Sequence, residues 1–311
     1  MKSMTKKLYY ILITLLIILV VICFVKLTPT GNVTQKSQAE SSSSDLPLPD
    51  ASDITATVNF QKQINDEYEI MEKQTNMTEF ATNGVTYLGP SSTTEASASV
   101  FIKSTNDKIY KYNIYKQNAS YETYETYMAY HGCSACALTT LLNATVPELA
   151  DHTPDKIISE VQKSVFGEEV FDKNFNKKMK NQMPVTMYGI TQILDEYKIE
   201  HKFVYKFDNN SAITEITEHL KTGNPVMITL RRKNGNTKWA GTVHTLLLIG
   251  LDPDGNAIVC DSANKLWSGI NQRVKFGSVE ELVKFMWSSN ELSTSAYYDG
   301  RKGTSGYILI Y

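Results

Sequence analysis

The sequence predicts an α+β fold, a helical layer packed on an antiparallel sheet, and three observations carry that expectation. Between residues 133 and 221 apolar residues recur three and four apart, the period of helices. Further on, segments 225–230, 242–251, 256–261 and 307–311 read as strands. The tight turn Asp252-Pro253-Asp254-Gly255 joins two of them with no room for a helical crossover, so those two must pair antiparallel. Helices first and sheet after gives two layers with a cleft between them.

The N-terminus decides the compartment. Lys2, Lys6 and Lys7 precede residues 8–25, eighteen residues without a charge, and Lys26 closes the run. That is about the shortest helix that crosses ~30 Å of hydrocarbon at ~1.5 Å per residue. Cys23-Phe24-Val25 offers no small-residue cleavage site, so residues 1–26 read as an uncleaved anchor. Three lysines on its N-terminal flank orient the rest of the chain out of the cytoplasm. The expected location is therefore the cell membrane, single-pass, with everything after Lys26 extracytoplasmic. Residues 27–55 are rich in Ser, Thr, Gln and Pro and bury too little apolar surface to fold, which makes them a flexible linker. A net charge of −2 gives no reason to expect nucleic acid as a partner.

Residues 56–120 form an N-terminal extension. Segment 60–74 has helical character, and 85–89, 99–103 and 108–112 look like short strands split by Asn, Asp and Gly turns. Tyr121, Tyr124, Tyr127 and Tyr130 recur every three residues, as a packing stripe on one face of a short helix would. The principal domain spans 121–311. Within it, Thr153-Pro154 opens a helix reaching about Lys163. Further helices are expected over 187–197 and 211–221, with a strand at 203–205 between them and Thr222-Gly223-Asn224 as a stop.

The chemistry concentrates in the run His131-Gly132-Cys133-Ser134-Ala135-Cys136-Ala137-Leu138-Thr139-Thr140-Leu141-Leu142-Asn143. Cys133 stands where an irregular, Tyr-rich stretch turns into an apolar helix. A thiol in a first helical turn feels the positive end of the dipole, which favours the nucleophilic thiolate. His244 follows in an apolar strand, and Asp261 lies one hairpin beyond it. Cys, then distant His, then Asp is the order of a nucleophile, a base and a group that orients the base. Asp252 and Asp254 are better explained as turn residues. Trp239 is expected in the core, with the wall of a cleft as its other reading.

This run resembles the nucleophile segment of the double-glycine (bacteriocin-processing) peptidase-like branch of the papain-like cysteine peptidases. The match falls on Gly132, Cys133, Leu138, Leu142 and Asn143. Gly223-Asn224-Pro225-Val226, the segment from His244 to Gly255, and Cys260-Asp261-Ser262-Ala263-Asn264 are similar to later elements of that branch. The resemblance covers residues 121–311. It implies a papain-like fold, peptide-bond hydrolysis through Cys133, His244 and Asp261, a peptide or protein substrate, and no cofactor or metal.

One position departs from the pattern. Papain-like enzymes place a Gln six to eight residues before the Cys, as an oxyanion donor. Here those positions hold Tyr127, Thr126 and Glu125, and the nearest upstream Gln is Gln117, sixteen residues away. Tyr127 and His131 are candidate substitutes. Two other classes stay open. Cys133 and Cys136 form a Cys-x-x-Cys, as in thiol-disulfide oxidoreductases. A non-catalytic domain of the same fold, binding peptide or cell wall, is the third. Asn264 is a weaker candidate for orienting His244, and His131-x-Cys133-x-x-Cys136 lacks the matched second pair of a metal site.

Overall fold

The computed structural model describes residues 51–90, 99–169, 171, 186–231, 239, 243–263, 274–290 and 305–311. The apolar run 8–25, most of the linker and Asn264 lie outside them. No helix among the described residues is long and apolar enough to cross a membrane.

Helix α1 (Ala51–Glu72) leads into a four-stranded antiparallel sheet, β1 (Met77–Thr82), β2 (Val85–Pro90), β3 (Ser99–Lys103) and β4 (Ile109–Asn113), in chain order. The strand β1 is absent from the sequence reading. Its signal is Asn83-Gly84, both at positive φ (51° and 79°), closing a two-residue hairpin with Thr82 opposite Val85. Period two splits the sheet's side chains. Phe101 and Leu88 meet Ile64 and Tyr68 of α1, whereas Val100, Ile102, Tyr87 and Tyr112 enter the main core.

Helix α2 (Glu125–His131) runs into α3 (Cys133–Thr145), with Gly132 between them. Residues 154–166 form one helical run, α4, whose middle stretch Ile157–Gln162 is π-helical. Helix α5 (Met187–Glu196), strand β5 (His201–Val204) and helix α6 (Asn209–Leu220) follow. Then come β6 (Val226–Arg231), β7 (Val243–Leu251), β8 (Asn256–Cys260), β9 (Val274–Ser278), helix α7 (Val279–Phe285) and β10 (Tyr307–Ile310). These six strands form one antiparallel sheet in the order β5-β10-β6-β7-β8-β9. The sequence reading omits β9 and α7, although Ser278 caps α7 by accepting the Glu281 N–H at 3.0 Å, a Ser-x-x-Glu start signal.

The expected two layers are three. One face of the large sheet, through Met227, Leu247, Ile249 and Ile258, packs on α3, α5 and the small sheet. The other face, through Ile228, Leu246, Leu248 and Val259, is covered by Ala212 and Ile216 of α6 and by Leu282 and Val283 of α7. Burial on both faces explains why β7 reads as an unbroken apolar run rather than alternating. Helix α3 lies between β4 and β7 and is buried from Cys133 to Ala144, so it carries no polar stripe. The tyrosine stripe divides. Tyr127 is buried, Tyr121 and Tyr124 pack beside it, and Tyr130 is 71% exposed. Only the last two turns of that segment are helical, so a three-residue repeat cannot hold one face.

Candidate active site

Cys133 is the first residue of α3, and the first bond of that helix runs from the Cys136 N–H to the Gly132 carbonyl at 2.8 Å. Gly132 has no Cβ for a packing reason. Any Cβ there would stand 2.6 Å from the Met128 carbonyl oxygen and from its side chain, so α2 and α3 meet this closely only at glycine. The junction fixes the helix start and with it Cys133, a residue 8% exposed.

Three strands of the large sheet bring the other groups to one end of it. His244 stands at the start of β7, Asp261 just past the end of β8 and Lys275 at the start of β9, and the antiparallel pairing of these strands gathers all three at that end. His244 Nε2 lies 2.7 Å from Asp261 Oδ1, and the two side chains are 6% and 0% exposed. With Nε2 so engaged, Nδ1 is the ring nitrogen left for the thiol, and His244 and Cys133 are hydrogen-bonded. Asp261 Oδ1 also accepts the Ala263 N–H at 2.9 Å, and Oδ2 accepts Lys275 Nζ at 2.7 Å.

The electrostatics follow from these partners. Burial pushes the Cys133 thiol up, but the bond and charge of His244 and the N–H groups of Thr245 and Ser134 outweigh it, leaving a net lowering. Burial pushes His244 down, and the Asp261 charge and bond, with Cys133, carry it up to about 10. Burial likewise opposes the ionised form of Asp261, yet His244 and Lys275 hold its carboxyl below the usual range. Both shifts favour thiolate beside imidazolium.

Cys133, His244 and Asp261 are thus brought together as the sequence places them. Lys275 was missed, because a lysine in an unrecognised strand reads as solvent-exposed. Gln117, despite its sixteen-residue offset, is tied to Ser262, the residue after Asp261. Its N–H donates to the Ser262 carbonyl at 3.0 Å, its Oε1 accepts from Ser262 Oγ at 3.4 Å, and its Nε2 donates to the Ala129 carbonyl at 3.1 Å. Helix α2 absorbs the extra residues between Gln117 and Cys133. Tyr127 is buried and packs on His131, their rings 5.8 Å apart. Trp239 is core, its indole lying where a Cβ on Gly277 would be 2.3 Å away. Asp252 is a turn residue, accepting the Asn256 N–H at 2.7 Å. Cys133, Cys136 and Cys260 are free thiols, and a helix rather than a strand feeds the Cys-x-x-Cys. Among the described residues no three His, Cys, Asp or Glu side chains converge as metal ligands.

A thiol at a helix start facing an imidazole on an antiparallel sheet is the frame of the papain-like cysteine peptidases. The chain belongs to the Peptidase_C39 like family, whose family model matches residues 109–291 of 311, and that family places it in the double-glycine branch. It is a cysteine peptidase kind of protein, with peptide or protein as the implied substrate. The match begins at β4, the strand against which α3 packs. No curated protein matches the chain.

Proposed function

We propose that this protein is a membrane-anchored, extracytoplasmic cysteine peptidase that cleaves peptide bonds through Cys133, His244 and Asp261. What supports this most is the unbroken hydrogen-bonded run from Cys133 through His244 to Asp261 among buried side chains. The Cys133 thiolate attacks the scissile carbonyl, and the C–N bond breaks as His244 delivers its Nδ1 proton to the leaving amine. The acyl group remains on sulfur as a thioester. Water, deprotonated by the now neutral His244, then releases the acid and restores the thiol pair. Asp261 accepts from Nε2 throughout, which holds the ring with Nδ1 toward sulfur. Gln117, held by Ser262 and Ala129, serves as the oxyanion donor in place of the closer-spaced residue.

Graded-pH alkylation with iodoacetamide, followed by mapping of the modified cysteine, tests the site. Preferential modification of Cys133 at pH 6 is expected, and equal slow labelling of all thiols would remove the reading. The anchor rests on residues 8–25 and the lysines before them. Protease treatment of intact cells should release a fragment beginning near residue 45. Protection of that fragment until lysis would reverse the proposed orientation.

A further inference from the structure

Lys275 is a buried cation in a sheet whose buried side chains are mostly aliphatic, and its side chain is 6% exposed. A lone structural ion pair explains it poorly. Taking two charges out of water costs several kcal/mol per ion, and apolar pairs of the same volume hold such sites as well or better. The carboxylate it meets, however, is the one that orients His244. Asp261 divides its oxygens: Oδ1 takes His244 and the Ala263 N–H, and Oδ2 takes Lys275.

The charges around this point come from four elements. Helix α3 brings Cys133, β7 brings His244, the end of β8 brings Asp261 and Cys260, and β9 brings Lys275. Burial and the Asp261 charge push Cys260 up, so it stays a neutral thiol. Thiolate, imidazolium, carboxylate and ammonium then cancel. Without the ammonium, an enclosed site would carry one uncompensated negative charge, and each remaining group would bind its proton more tightly.

We infer that Lys275 is a positioning residue of this site, holding Asp261 ionised with Oδ1 turned to His244, and keeping the Cys133–His244 pair ionised down to a lower pH than Asp261 alone would allow. This rests on the reading of Cys133 and His244 as the working pair. The lysine itself titrates early, since burial outweighs the help from Asp261 and brings it down to about 8.

The test is the pH dependence of Cys133 alkylation, which needs no substrate, on the full chain carrying Lys275→Met, Lys275→Gln or Lys275→Arg. Loss of the charge in the Met and Gln variants should move the alkylation midpoint up by about one pH unit, the effect of one charge acting through Asp261 and His244 in a partly screened interior. Lys275→Arg keeps the charge and should restore the wild-type midpoint. Folded Met and Gln variants with an unmoved midpoint would overturn the inference. If the wild type itself shows no enhanced reactivity at Cys133, the failure lies with the working pair and not with Lys275. Should the uncharged variants not fold, 15N-labelled histidine and lysine in the wild type decide. The His244 ring resonances must respond at the titration of Lys275, and indifference between the two overturns the inference.

Discussion

At Cys133 two opposed effects meet, burial against thiolate and the His244 contact for it, and the contact wins. An ordinary thiol with a pKa of ~8.5 is only about 0.3% thiolate at pH 6. Cys133 should therefore be alkylated at that pH far faster than Cys136 or Cys260, with the rate falling as pH drops through its lowered pKa. Hydrolysis has a second limb. Above about 10 His244 loses its proton, so no acid remains for the leaving amine, and turnover should fall while alkylation does not. Cys133→Ala should abolish hydrolysis, and Cys136→Ala should leave most of it. Asp261→Ala should lower kcat by roughly three to four decades, because nothing then accepts from Nε2 to hold the ring with Nδ1 toward sulfur. Gln117→Ala should cost two to three decades, roughly what one oxyanion donor supplies, with KM little changed. These residues differ in how far sequence exposes them. Cys133, His244 and Asp261 sit in local patterns, a helix start, an apolar strand and a strand end. Lys275 reaches Asp261, and Gln117 reaches Ser262, through tertiary contacts alone, and nothing in their neighbours announces that.

At the scale of elements, the α2–α3 junction is where local structure becomes function. Gly132→Ala forces the helices apart against a backbone carbonyl 2.6 Å from the new Cβ. Overpacking of this kind costs about 1–3 kcal/mol, and here it also shifts the thiol from His244. Gly84→Ala provides the contrast. Its strain comes from φ at +79°, with only the Thr105 side chain 3.9 Å away. It should destabilise by about 1–2 kcal/mol and leave kcat unchanged. Thermal melts with parallel kinetics separate the two, and equal kinetic losses would deny the junction its role. The helices and strands found from sequence are those whose pattern their surroundings respect. Thr186 and Asp208 cap α5 and α6, accepting from Gly189 and Ser211 at 3.0 Å, and both helices run within a residue or two of expectation. The strand β1 is half exposed and β9 mixes Lys, Phe and Gly, so neither shows the alternation that marks a strand.

Among the described residues, five carboxylates held below their usual range carry the acid sensitivity of the whole molecule, one of them Glu280, bonded to Lys284. Burial opposes ionisation at Asp155, Glu215 and Asp261, and it is outweighed by Thr153 and Thr123, by Lys202 and Tyr307, and by His244 and Lys275 respectively. At Asp208 the bonds from Ser211 lead. A lowered folded pKa means stability that is fully present above the unfolded value of ~4 and lost as pH falls through the folded one. Melting temperature should therefore drop steeply below about pH 4, and Asp261→Asn should flatten part of that drop. The separateness of residues 56–120 from residues 121–311 is a matter of the core. Val85, Tyr87, Val100, Ile102, Tyr110, Tyr112 and Ile114 share one cluster with Leu138 and Leu141 of α3 and Ile258 of β8. Each such side chain contributes about 1.5–3 kcal/mol by burial, so their loss removes on the order of 10–20 kcal/mol. Net stability of a domain is only about 5–15 kcal/mol. A fragment beginning at Tyr121 should then show no cooperative thermal transition, whereas one beginning at Ala51 should melt in a single step. A sharp melt of the shorter fragment would mean that α3 finds its cover elsewhere, and that the four-stranded sheet is dispensable to the fold that positions Cys133.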